Sequence, residues 1–140
     1  MALFSKKPRA VKLQQLDELE PLLKSGRPVL LDLYQVGCSA CQVMDGIVNE
    51  LAREYGESAH IVKVDLGRVP GAIQVFRVQS TPTFVLLGPA PVKKPKKRSG
   101  GQVPEATGRR ITSRWRTSGL VRKNQLQRVL ESNGAVRAES

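Results

Sequence analysis

The chain holds only two cysteines and a single histidine, and its aromatic content is low. A disulfide scaffold is therefore excluded, and a zinc site built from Cys38, Cys41 and His60 would lack a fourth ligand within one chain. No glycine-rich phosphate-binding motif occurs, and no Ser/His/Asp set can be assembled around the lone His60. The apolar start Met1-Ala2-Leu3-Phe4 is cut off by Ser5-Lys6-Lys7-Pro8, so neither a signal peptide nor a membrane span is expected. A cytoplasmic, reducing setting follows as the expectation, and there a close cysteine pair serves catalysis, redox sensing or metal binding more often than permanent bridging. With 140 residues, the chain fits one domain, 1–140, whose core needs no staple.

The two cysteines sit together as Cys38-Ser39-Ala40-Cys41, between an apolar run, Pro28 to Tyr34, and a segment of strong helical period. A strand that hands over to a helix here places Cys38 at the helix N-terminus, where unpaired N–H groups and the macrodipole favour a thiolate. Cys38 is then the attacking sulfur. Cys41, one turn further on, can resolve a mixed disulfide on Cys38, giving a two-step exchange that needs no cofactor beyond the pair itself.

Leu13, Leu16, Leu19, Leu22 and Leu23 predict a first helix over 13–25, closed by Gly26 and Pro28. Strands are expected over 28–35, 61–66 and 83–87. The positions Met44, Ile47, Val48, Leu51, Ala52 and Tyr55 give a helix ended by Gly56, and a short helix is expected near 69–77. Residues 89–110 carry four prolines, several glycines and no apolar period, which predicts a solvated loop. A strand over 111–117, a closing helix over 120–131 and a flexible tail over 133–140 complete the reading. The β-α-β order calls for a central sheet with at least one parallel pair, covered by helices.

Residues 13–88 and 111–132 resemble the thioredoxin family. The likeness rests on the CxxC, on Asp32 six positions before it, on Lys63 on the next strand, on Pro70-Gly71 opening the third helix, and on Thr81-Pro82-Thr83 before the fourth strand. It implies an α/β, three-layer fold with a central mixed sheet, and a protein-disulfide reductase that is itself re-reduced by an external system of the thioredoxin-reductase kind. It further implies that Cys38 is the exposed nucleophile and Cys41 the buried resolving thiol. Asp32 corresponds to a buried carboxylate that accepts the Cys41 proton, and Lys63 to the lysine that pairs with that carboxylate. The alternatives are a strand-edge carboxylate facing water and a solvent-facing lysine. The Thr81–Pro82 bond would be cis, bringing the Thr81 backbone beside the cysteines for an extended substrate, rather than an ordinary trans proline. Gly119 matches a glycine of the substrate-docking surface, although a turn glycine would look the same.

The chain departs from the family pattern at Gly37, where a tryptophan is usual, at Ser39-Ala40, where Gly-Pro is usual, and at Gly46, where a kinking proline is common. Gly37, Ser39 and Ala40 leave a smaller, more open substrate shelf, and the changed pair alters the reduction potential.

Charge is the other informative feature. Of the net +11, residues 89–116 supply +8, with nine basic residues against Glu105. Lys93-Lys94-Pro95-Lys96-Lys97-Arg98 suits a solvated linker, a docking segment for an acidic protein through residues 92–110, or a contact with nucleic acid or anionic lipid. Aromatic interleaving for base stacking is absent apart from Trp115. Two further readings therefore stand beside the oxidoreductase: a thioredoxin-fold adaptor or redox switch that binds an acidic partner through the loop, and a nucleic-acid-associated protein with an incidental dithiol.

Overall fold

The computed structural model describes residues 8–89 and 111–138. It contains five strands and four α-helices: β1 (Val11–Lys12), α1 (Leu19–Lys24), β2 (Val29–Tyr34), α2 (Ser39–Tyr55), β3 (His60–Asp65), α3 (Ala72–Phe76), β4 (Thr83–Pro89), β5 (Ile111–Ser118) and α4 (Lys123–Ser132). The sheet order is β1-β3-β2-β4-β5, with β3 parallel to both β1 and β2, and β4 antiparallel to both β2 and β5. This is the expected mixed sheet. Helices cover both faces, which gives three layers.

Central strand β2 explains the layering. Its residues Val29 to Leu33 are all buried, as a strand covered on both faces requires. Val29, Leu31 and Leu33 point to one core with Leu19 and Leu23 of α1 and Ala72 of α3. Leu30 points to the other, with Met44, Val48, Leu51 and Tyr55 of α2 and Leu126 and Leu130 of α4. Each fully buried aliphatic side chain contributes about 1.5–3 kcal/mol, so these two clusters supply the main drive to fold. Period-2 alternation then puts Asp32 on the α2 face, the one charged side chain in a strand otherwise apolar up to Tyr34.

Several boundaries differ from the sequence reading for identifiable reasons. The first helix starts later than Leu13, because the Leu13 N–H donates to the Lys63 carbonyl oxygen at 3.0 Å and so continues the short β1 pairing. A 3-10 turn at Leu16–Glu18 then leads into α1, with the Glu18 carboxylate accepting the N–H groups of Gln14 and Gln15. Two residues of β1 carry too little pattern to be read from sequence. The closing helix begins at Lys123 rather than Leu120. Residues 133–138, read as tail, lie against α2: Ala135 is buried, Val136 N–H donates to Ser58 Oγ, and Ala138 N–H donates to the Glu54 carbonyl oxygen. The basic segment 92–108 and most of the expected loop lie outside the described residues.

Candidate active site

Cys38 caps α2. Its backbone is extended (φ −90°, ψ 114°), its carbonyl accepts the Gln42 N–H, and its Sγ accepts the Cys41 N–H at 3.1 Å. An N-cap sulfur that already receives an N–H bond is held where negative charge on it is stabilised. Gly37, with φ +89°, makes the turn that delivers the chain from β2 into this cap. Cys38 and Cys41 are joined as a disulfide with their Cα atoms 5.2 Å apart, Cys38 partly exposed and Cys41 buried. Ser39 and Ala40 form the first turn of α2 between them.

A second loop closes on the pair. The Thr81–Pro82 peptide bond is cis, and the Thr81 carbonyl oxygen lies 3.6 Å from Cys38 Sγ. The loop is pinned on its far side, where Gly119 N–H donates to the Pro82 carbonyl oxygen at 2.8 Å and Thr83 Oγ1 bonds with Ser118 Oγ at 2.9 Å. Gly119, at φ +90°, therefore joins the β5 end to the loop that faces Cys38. Exposed apolar side chains flank this region of the chain at Val36, Val43 and Leu120.

Asp32 is 3 % exposed, and its Oδ1 has no hydrogen-bond partner among the described residues. Burial penalises the ionised form and pushes its pKa up to about 7, the Lys63 charge opposing this in part and the Asp45 charge adding to it. The water-facing alternative is thus excluded for Asp32. Lys63, 13 % exposed, is not solvent-facing either. It stands in register with Asp32 across the parallel β2–β3 pair, yet its ammonium group forms an ion pair with Asp45 of α2 instead of a direct bond to Asp32. The Tyr34 ring lies beneath the same ammonium, 5.5 Å from its centroid.

Asp45 is the member of this constellation that sequence reasoning missed. The signal was available: it lies four residues after Cys41, one turn along the helix that covers Asp32 and Lys63. Among the described residues no group of three or more His, Cys, Asp or Glu side chains is arranged to hold a metal ion, and no helix is long and apolar enough to cross a membrane.

Comparison with known proteins agrees with this geometry. Residues 10–109 match the family model "Thioredoxin". The chain is 35 % identical over 83 residues to the chloroplastic thioredoxin Y1 of Arabidopsis thaliana, covering 57 % of this chain and 48 % of that protein. It is also 35 % identical over 78 residues to a thioredoxin-like protein of Synechocystis sp., covering 56 % of this chain and 74 % of that one. The chain thus spans about half the length of the plant relatives it matches. In fold, it superimposes on a thioredoxin of Malassezia sympodialis with a TM-score of 0.67 at 14 % identity, covering 95 % and 98 % of the two chains. The spinach chloroplast thioredoxin f gives 0.65 at 16 % identity, covering 91 % and 95 %. With the family model spanning both the CxxC helix and the cis-proline loop, the chain belongs to the thioredoxin family.

Proposed function

We propose that this chain is a thiol–disulfide oxidoreductase that reduces disulfides of other proteins through Cys38 and Cys41. The observation that carries the reading is the Cys38–Cys41 disulfide at the α2 N-terminus, with Cys38 Sγ beside the Thr81 carbonyl. In the reduced protein, the Cys38 thiolate attacks one sulfur of the substrate disulfide. That bond breaks, one substrate sulfur leaves as a thiolate, and a Cys38–substrate mixed disulfide forms. Cys41 then gives its proton to the Asp32 carboxylate and attacks Cys38 Sγ. The second substrate thiolate is expelled, and the Cys38–Cys41 disulfide remains. Asp32 passes its proton to the expelled thiolate; an external dithiol then gives two electrons to the pair, one of its protons restoring Cys41 and the other balancing the first substrate thiolate through solvent.

The roles follow from the environment of each group. Asp32, raised to about 7, has a proton affinity suited to exchange near neutral pH, and it is buried as Cys41 is. Lys63 positions the charge balance around Asp32 and shares it with Asp45. Gly37, Ser39, Ala40, Thr81 and Pro82 would form the substrate surface around the sulfur, with Gly119 holding the Pro82 loop from its far side, and the Thr81 backbone would pair with an extended substrate segment. The chemistry requires a reducing compartment, the cytoplasm in the simplest case, and a reductant of the thioredoxin-reductase kind.

Dithiothreitol-driven insulin reduction tests the reading. The native protein should accelerate it and Cys38→Ser should not. Equal rates for the two would overturn the assignment.

A further inference from the structure

On the far edge of the α2 face, residues Pro8 to Lys12, strand β3 and the second half of α2 enclose an open-sided cleft of about 540 Å³. Four cations line it: Arg9, Lys12, Arg53 and Lys63, together with Asn49. Their assembly follows from the fold. Lys12 and Lys63 are directly opposed in the parallel β1–β3 pair and so point to the same face, while Asn49 and Arg53 are one turn apart on α2 above them. Like charges directly opposite on neighbouring strands destabilise each other. The Lys63 charge is answered by Asp45, but Arg9, Lys12 and Arg53 have no ion pair among the described residues. The glutamates of α2 do not serve this side, since Glu50 and Glu54 are both bound to Lys123 of α4.

We propose that this cleft is a binding site for a small molecule bearing a chain of phosphates. Three observations fix the ligand class. The cleft concentrates positive charge with one acid in reply, so its occupant is anionic. The cleft is open-sided and, at about 540 Å³, has room for an extended anion larger than a lone phosphate. Arg9 and Arg53 add planar, multi-donor guanidinium groups, which suit phosphate oxygens in pairs, and Lys12 adds a point charge to the same lining. The Asn49 amide supplies a neutral donor, and Pro8 and Ala10 form an apolar wall beside the cations. Unlike the basic segment at residues 93–98, whose charges follow one another along the sequence, these charges come from three separate segments that only the fold brings together.

Isothermal titration of the oxidised full-length chain with tripolyphosphate and with ATP tests the proposal. No turnover is involved, so its failure is separate from failure of the redox reading. Saturable binding of one equivalent is expected, weakened tenfold or more by the exposed double substitution Lys12→Ala with Arg53→Ala. Substituting Lys93, Lys94, Lys96 and Lys97 by Gln should leave the affinity within about twofold. Equal affinity for the two probes assigns recognition to the phosphate chain alone, and tighter ATP binding assigns a share to the Pro8 and Ala10 wall; both support the site. Loss of binding with the Lys93–Lys97 substitutions but not with the cleft pair would overturn it, as would binding no tighter than that of sulfate, which would mean an adventitious ion only.

Discussion

Replacing Asp32 by Asn removes a buried acid whose pKa in the folded chain is raised to about 7 from an ordinary value near 3.8. The folded state therefore holds the Asp32 proton more tightly than the unfolded state does. Below about pH 3 both states are largely protonated and Asp32 costs little; as pH rises towards about 7 the unfolded chain ionises first, and stability falls until the folded carboxyl also ionises. The full cost above that window is about 4 kcal/mol, and the part lost between about pH 5 and pH 8 is about 2–3 kcal/mol. Native stability relative to Asp32→Asn should therefore fall by that amount over the interval. Guanidinium unfolding of both oxidised proteins at the two pH values reads it directly, and contributions from His60 and other shared groups cancel in the difference. The buried position of Oδ1 without a partner is what makes the effect large. Parallel pH dependences, within about 0.5 kcal/mol, would refute the reasoning, because a difference that small is what surface substitutions give.

Other outcomes follow from the same geometry. Asp45→Asn removes a charge that raises the Asp32 pKa and frees the Lys63 ammonium, so the Asp32 titration, followed by carboxyl NMR, should move to lower pH; an unmoved midpoint would separate Asp45 from the site. Cys41→Ser should hold substrate as a stable Cys38 mixed disulfide visible on non-reducing gels, and its absence would show that Cys41 is not the resolving thiol. Leu126→Ala should cost about 2–5 kcal/mol in chemical denaturation, since Leu126 is fully buried between α4 and the sheet. Arg116→Ala should cost about 1 kcal/mol and speed amide exchange in α3, because the guanidinium donates to the Phe76 and Arg77 carbonyl oxygens at the end of that helix.

The CxxC was legible because its chemistry is local: a sulfur at a strand-to-helix junction depends on neighbours within a few residues, and Cys38 does cap α2. Helix α2 was legible because one face of a 3.6-residue period repeats through Met44, Val48, Leu51 and Tyr55, all buried. The run from Val29 to Leu33 likewise announced a strand covered on both sides. By contrast, β1 has two residues and no period, and Leu13 was drawn into a helix because leucines at near-helical spacing look alike whether or not their N–H groups are already taken by a neighbouring strand.

Sequence alone therefore determined what is encoded by adjacency: the dithiol, its place at a helix start, and the alternation that turns Asp32 towards α2. Only the tertiary structure decided which charges meet. Lys63 could pair with Asp32, with Asp45 or with water, and the choice depends on where α2 lies over β3, a relation between segments about 20 residues apart that no local pattern contains. The gathering of Arg9, Lys12, Arg53 and Lys63 is of the same kind: electrostatic contact falls off with distance in space, and the chain's numbering does not record that distance until the sheet has formed.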